Sequence, residues 1–404
     1  VTETTHAGGR ARSSLPPVPE MTVEALLGLA GVEDPGAVDG RLDALVRRAG
    51  GGVHRSGSAE VSVVSHSLGA PATHGVYRVT GRTEGGGAWS MFCKVIQHPR
   101  HWEGLAQMPP DLAREFADTF PWRTELELWD PRVQASLPDS LRSPALHELI
   151  ELEEDRIAVW QEDVALVPGD IGAVFDLDRY DRAAYLLGRW NARSTTPEVL
   201  GVTDLPVGMA LRMYAEKAVP MRGLAPLTDD ALWAHPWLAD HGYLRATLGR
   251  LGERIADDLV RLDAMVQCLP HGDASPQNLL LPAAGDPAEL VVIDLSFRTP
   301  HALGFDLSQL LVGLTQAGEV PAAQLPEIAR RILAAYLRGL HDEGVADQDA
   351  AVHDSFVTVS LLRSGFDSLL YELLGSEDPG ARHAFDERIA LTRFLVEQYV
   401  ALHG

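Results

Sequence analysis

The sequence predicts an α+β protein of two lobes, a small β-rich N-terminal lobe followed by a large helical C-terminal lobe. Three observations predict it. Short runs rich in β-branched and aromatic residues (Val61–Val64, Val76–Thr80, Trp89–Ile96, Leu149–Leu152 and Ile157–Glu162) all fall before residue 163. From about residue 177 onward, apolar residues instead recur at steps of three and four, the period of a helix. Among those helical segments sits one passage of different character, His271-Gly272-Asp273-Ala-Ser-Pro-Gln-Asn278, followed by Leu279-Leu-Leu281 and then by Val291-Val-Ile-Asp294. It reads as a tight polar loop and a short hairpin whose second strand ends on a carboxylate.

Taken in order, residues 1–20 are polar and rich in Pro and Ser, without the apolar stretch of a secretory signal, and read as a flexible arm. Residues 21–160 form the N-terminal lobe. Helical periodicity over residues 21–50 ends at Gly50-Gly51-Gly52, and the strand runs begin after it. Gly81–Gly87 is the turn-rich link expected of a hairpin. By period-two alternation Lys94 shares a strand face with Phe92 and Ile96, while Cys93 and Val95 face the other way. A helix is predicted over Pro121–Trp129, with Pro at its first turn. Residues 161–404 form the C-terminal lobe, with helices over Arg179–Ala192, Leu244–Val266, Leu307–Thr315, Leu325–Leu340, Val357–Leu374 and Phe385–His403.

Composition narrows the function. The formal charge is −23, with 34 basic against 57 acidic residues, which argues against nucleic acid or an anionic membrane surface as partner. No apolar run reaches the length of a membrane span. The two cysteines, Cys93 and Cys268, have no metal-site spacing and suit free thiols in a reducing cytoplasm. Only Lys94 and Lys217 are lysine; every other Lys or Arg is arginine. A lysine kept against that background suggests a place where a compact ammonium is wanted, and Lys94 lies inside an apolar strand.

The loop and hairpin carry the chemistry of phosphoryl transfer from ATP. Asp273 would orient an attacking hydroxyl, and Asn278 and Asp294, hard oxygen donors, would hold Mg²⁺ against the phosphates. The spacing matches the protein-kinase pattern H-R-D-x-x-x-x-N followed by D-F-G. Lys94 would neutralise the α- and β-phosphates. It needs a carboxylate to fix its direction, and Glu125, beside the apolar Trp122, Leu126 and Trp129, is the candidate. Asp306 has the form of a helix N-cap and would brace the loop, with His271 in support. The region Ser65–Val79 stands where a glycine-rich phosphate loop belongs; it is not a clean G-x-G-x-x-G, and Gly69 and Gly75 are its candidates for backbone contact with phosphate. No Walker A sequence occurs. Trp160-Gln-Glu-Asp-Val164 reads as a hinge, with the Glu162 carbonyl and the Val164 amide meeting adenine. Eleven residues between Asp294 and Asp306 are too few for a phosphorylated activation loop, so the site is predicted to need no such switch.

These residues resemble the aminoglycoside phosphotransferase and choline kinase-like branch of the protein-kinase-like fold. The resemblance is carried by His271-Gly-Asp273-x4-Asn278, Ile293-Asp294, Gly304-Phe-Asp306-Leu-Ser, the Trp160–Val164 hinge and Leu187-Gly-Arg-Trp190-Asn, spread over about residues 60–315. It implies an ATP- and Mg²⁺-dependent kinase moving the γ-phosphate to a hydroxyl of a small molecule, an antibiotic or secondary metabolite. An acidic bowl (Asp176, Asp178, Asp181, Asp367, Glu372, Glu377, Asp378) would favour a cationic substrate. The alternative is a Ser/Thr kinase acting on a precursor peptide in natural-product, lanthipeptide-type biosynthesis, with the insertion Pro99–Thr119 as recognition surface. A pseudokinase scaffold comes last, because it has no need of Lys94, Asp273, Asn278 and Asp294 together. Arg363, in an apolar helix, is assigned either to a substrate carboxylate or to Asp367 at i+4.

Overall fold

The computed structural model describes residues 20–32, 34–64, 70–295 and 297–404. Among them, ten strands occur in chain order: β1 (Glu60–Val63), β2 (Thr73–Arg82), β3 (Ala88–Gln97), β4 (Leu141–Arg142), β5 (Leu146–Leu152), β6 (Arg156–Glu162), β7 (Gln267–Cys268), β8 (Leu279–Leu280), β9 (Leu290–Val292) and β10 (His301–Ala302). The chain divides into two compact units. One holds the described residues up to Trp129 with Ser143–Ala165; the other holds Asp130–Arg142 with Leu166–Gly404. Residues 1–19 of the predicted arm lie outside the described residues, as does Gly69.

The first unit is built on a five-stranded antiparallel sheet in the order β1-β2-β3-β6-β5. One face carries Tyr77, Val79, Met91, Cys93, Val95, Ala158 and Trp160, covered by Leu26 and the C-cap residue Leu27 of the helix Val23–Leu26 and by Leu42, Leu45 and Val46 of the helix Pro35–Arg48. The indole N–H of Trp160 donates to the Leu26 carbonyl at 3.1 Å, tying the shorter helix down. The other face presents Ile96, Ile157 and Val159 to Trp122, Leu126 and Trp129. Alternation along β3 puts Lys94 on this second face, as its sequence position predicts. The predicted α-helix over Pro121–Trp129 is instead a turn followed by a 3₁₀ helix, Thr124–Trp129. Its tighter winding stacks residues three apart, so Leu126 and Trp129 reach the sheet together. The Thr124 hydroxyl donates to the Pro121 carbonyl at 2.6 Å and closes the start of that turn. The insertion 99–119 is folded, ending in the helix Pro110–Thr119, where Phe116 touches Trp102 and Phe120.

The second unit is mostly helical. Residues 130–142 belong to it, although a single boundary after residue 160 would put them elsewhere, because β4 pairs in parallel with β9. Two further helices differ from their predictions. The run Leu244–Val266 breaks into Gly242–Gly252 and Ile255–Asp263; Gly252, a poor helix former, stands at the break. The run Val357–Leu374 becomes an α-helix, Asp349–Ser360, that widens into a π-helical turn, Leu361–Gly365, before the chain turns away. No described helix is long and apolar enough to cross a membrane.

The helices Leu177–Arg193 and Leu325–Asp342 meet backbone to backbone through two glycines. A Cβ on Gly188 would lie 2.2 Å from the Tyr336 carbonyl oxygen, and one on Gly339 would lie 2.2 Å from that of Tyr185. Gly188→Ala should therefore destabilise the protein by about 1–3 kcal/mol through overpacking, although alanine is the better helix former. Urea denaturation measures this, and a stabilised variant would contradict the packing.

Candidate active site

The loop His271–Asn278 is fixed from behind. Asp306, 1% exposed, accepts the backbone N–H of His271 at 3.0 Å and of Gly272 at 2.9 Å. It also takes the amide of Asn191 at 2.9 Å; that amide in turn donates to the Tyr336 hydroxyl, which itself accepts the Gly304 N–H. Asp306 stands at the N-cap of the helix Leu307–Ala317 but makes no side-chain capping bond there. Its carboxylate is spent on the loop. Gly272 has φ +91°, and a Cβ on it would sit 2.6 Å from the Phe297 carbonyl carbon and 2.8 Å from the Arg298 nitrogen, so only glycine fits. His271 is buried, and burial lowers its pKa; the neutral ring accepts the Asp273 N–H on Nδ1 at 3.2 Å.

Asn278 and Asp294 are brought together by the β8–β9 hairpin. Leu279 pairs with Val292, so Asn278, just before β8, and Asp294, just after β9, lie at the same end. The Ile293 N–H donates to the Asn278 carbonyl at 3.1 Å and closes that end. The Asn278 carboxamide donates to the Asp273 carbonyl at 2.9 Å and to its Oδ2 at 3.2 Å. With the nitrogen so engaged, the oxygen is the atom of this group left to accept. Asp294 has φ +60°, a left-handed conformation uncommon outside glycine. Such backbone strain concentrates at functional sites. Burial raises the Asp273 pKa, Arg363 opposes the rise, and the nearby charge of Asp294 adds to it.

Arg363 does not pair with Asp367, the i+4 partner its sequence position offered. Asp367 is held by Arg222 at 3.1 Å and by the Tyr214 hydroxyl at 2.5 Å. Arg363 reaches back 90 residues to donate to Asp273 Oδ1 at 2.9 Å and to the Gly272 carbonyl at 2.5 Å. Three more of the residues named for an acidic bowl have arginine partners: Asp176 lies against Arg179, while Asp178 and Asp181 both lie against Arg331. Surface arginines answer these carboxylates.

In the sheet unit the Lys94 ammonium lies 2.6 Å from Glu125, with side chains 10% and 9% exposed. Lys217, the other lysine, is exposed, so the compositional signal singles out only one of the two. Gly75 lies in β2 opposite Val95, and the Tyr77 ring fills the space its Cβ would take. The β6 ladder ends at Glu162, which leaves Val164 beyond it. Between them Asp163 accepts two bonds from the Arg78 guanidinium, at 2.8 and 3.0 Å, and one from the Ser90 hydroxyl. Sequence reasoning missed the work of Asp163, Asn191, Tyr336 and Arg363. Asp163 and Asn191 stand inside quoted motifs without a role; the contacts of Tyr336 and Arg363 are too distant in sequence to leave a spacing signal.

No family model matches the sequence, and no curated protein matches it. Among solved structures the chain is similar to an aminoglycoside phosphotransferase from Alicyclobacillus acidocaldarius, at 13% identity and a TM-score of 0.48, covering 84% of this chain and 91% of that one. It is also similar to an amicoumacin kinase in complex with AMP-PNP, Ca²⁺ and its ligand, at 15% identity and a TM-score of 0.48, covering 84% and 88%. A Plasmodium vivax ethanolamine kinase gives 12% identity and a TM-score of 0.45, covering 84% of each chain. These likenesses are distant, and the functional reading below rests on the geometry of the site.

Behind Arg363, His301 stacks on Phe305 with ring centroids 3.8 Å apart and lies 2.9 Å from the Thr299 hydroxyl. Burial, with Arg363 adding, pushes its pKa down to about 3. An unfolded chain titrates this group near 6.5. The folded protein thus holds it neutral while the unfolded one gains a proton, so this stability is present above pH 6.5 and is lost as pH falls toward 3. Each pH unit below 6.5 should cost up to about 1.4 kcal/mol from this residue. Denaturation between pH 6 and 4.5 should show a shallower loss in His301→Gln; an equal slope would contradict the assignment.

Proposed function

We propose that the chain is an ATP- and Mg²⁺-dependent phosphotransferase that moves the γ-phosphate to a hydroxyl of a small molecule, of the aminoglycoside phosphotransferase and choline kinase-like type. The observation that carries this reading is the Asp273 carboxylate, held by Arg363 on one oxygen and by Asn278 on the other, at the loop adjoining the β8–β9 hairpin that ends on Asp294. A carboxylate so fixed is suited to orient a hydroxyl for attack, which is most of what phosphoryl transfer asks of the protein. Lys94, steered by Glu125, supplies a compact cation for the α- and β-phosphates. The Glu162 carbonyl and Val164 amide are assigned to adenine, and Asp163 keeps that segment tied to β2 and β3.

Asn278 and Asp294 would hold Mg²⁺, which supplies positive charge against the phosphates when bound. Their donor set fits it: one carboxamide oxygen and one carboxylate, with the remaining positions left to water and phosphate oxygen, as this cation prefers. Among the described residues no group of three or more His, Cys, Asp or Glu forms a cage able to hold a metal alone. The site is assigned to a metal that arrives with its nucleotide, because two protein donors leave most of an octahedral shell to water and phosphate oxygen. We place the enzyme in the cytoplasm, in antibiotic resistance or secondary metabolism.

The test is transfer itself. Protein incubated with ATP and Mg²⁺ against aminoglycosides, peptide antibiotics, nucleosides, sugars and amino alcohols should add phosphate to an acceptor, read by mass. Asp273→Ala should lower kcat by ~10²–10⁴-fold, and Asp294→Ala should abolish turnover. Turnover in Asp273→Ala at the native rate would contradict the reading; transfer to Ser/Thr peptides alone would replace the small-molecule acceptor with a peptide.

A further inference from the structure

We propose that Arg363 is a positioning residue that sets the plane of the Asp273 carboxylate, so that the helical C-terminal segment, through one guanidinium, controls the geometry of hydroxyl attack. The inference rests on the phosphotransferase reading of the site. Arg363 is 8% exposed and is stacked against two rings, Phe297 at 4.8 Å and Phe305 at 5.6 Å. A guanidinium taken out of water costs several kcal/mol unless it is well paired. This one is paired with two oxygens of the loop, the Gly272 carbonyl and Asp273 Oδ1.

Two facts separate positioning from simple adhesion of the loop. First, the loop backbone is already held by Asp306, which takes the His271 and Gly272 N–H groups. Besides one bond to the Gly272 carbonyl, what Arg363 adds is a hold on the carboxylate. Second, Asn278 binds Oδ2 while Arg363 binds Oδ1. With both oxygens engaged, rotation of the carboxylate is removed, and the lone pairs left over have one direction. Phe297, three residues past Asp294, forms one wall of the guanidinium's slot, so the same side chain also touches the segment that carries the second metal-binding candidate. The helix reaches this position by widening at Leu361–Gly365 into a π-helical turn, a rare form that is frequent at functional sites.

The experiment uses the full chain with Arg363→Ala, Arg363→Lys and Asp273→Asn, and the double variant Arg363→Ala/Asp273→Asn. Phosphoryl transfer in Arg363→Ala should fall by about 10²-fold in kcat, the scale of a misplaced reacting group, with KM for ATP within about twofold of native. Arg363→Lys, which keeps the charge and loses the fork, should recover only part of the loss. Added guanidinium ion should restore turnover in Arg363→Ala with saturation, a recovery that a merely structural role does not give. The Tm losses of Arg363→Ala and Asp273→Asn should not add in the double variant, because each single change strands the other's buried charge or hydrogen bonds.

A kcat within threefold of native in Arg363→Ala would overturn the proposal, as would a loss confined to KM for ATP, or additive Tm losses. If the native protein transfers no phosphate to any acceptor or to water, the phosphotransferase reading fails on its own. Non-additive Tm values would then still uphold the Arg363–Asp273 coupling, and additive values would still overturn it.

Discussion

The carboxylate of Asp306 is the constraint on which the helical unit's site depends. It is buried, and burial of an ionised group is tolerated only when hydrogen bonds replace its water. Here the donors come from the loop's two backbone N–H groups and from Asn191. Hydrogen bonds to a charged acceptor are the stronger kind, and each donor left orphaned by its loss would cost about 1–3 kcal/mol. The bonds point the loop so that Asp273 emerges next to Asn278. Glycine at 272 follows from the same constraint, since the chain must pass the Phe297 carbonyl with no room for a Cβ.

Two further buried charges are each placed by an opposite charge from a separate element. In the sheet unit the strand lysine meets Glu125 on the 3₁₀ helix. In the helical unit the π-helical turn sends Arg363 to Asp273. The residue types differ for a physical reason. Arg363 must bridge a carbonyl and a carboxylate at once, which the planar fork does. Lys94 presents a compact charge, suited to phosphate oxygens from any direction, and it is the lysine that a nearly lysine-free chain retains in a buried place. At the surface, by contrast, the many acidic groups are answered by arginines, as Asp178 and Asp181 are by Arg331.

Much of this was legible in the sequence because it depends on local period and spacing. The strands lie close to where alternation puts them, and the face of Lys94 follows from counting by two. Asn278 and Asp294 share a hairpin end because a short antiparallel pair leaves no other choice. Glu125 was found through its apolar neighbours, although the segment is 3₁₀ and not α: the three aromatic and aliphatic side chains pack on the sheet in either winding. The failures have separate causes. Asp367, one of two partners the sequence offered Arg363, presumes α-helical i+4 spacing, and the π turn Leu361–Gly365 breaks that spacing. The pairing of β4 with β9 is a contact far apart in sequence, which no window reads; the break at Gly252 is local, at a residue that disfavours helix inside an otherwise periodic run.

The central proposal is that Asn278 and Asp294 would form half of a metal site that only a nucleotide completes. Titration of Mn²⁺, as a paramagnetic substitute for Mg²⁺, followed by electron paramagnetic resonance tests it most directly. The account predicts weak Mn²⁺ binding to the protein alone, tight binding with a non-hydrolysable ATP analogue, and loss of the tight binding in Asp294→Ala. Tight binding without nucleotide, or tight binding that survives Asp294→Ala, would contradict it.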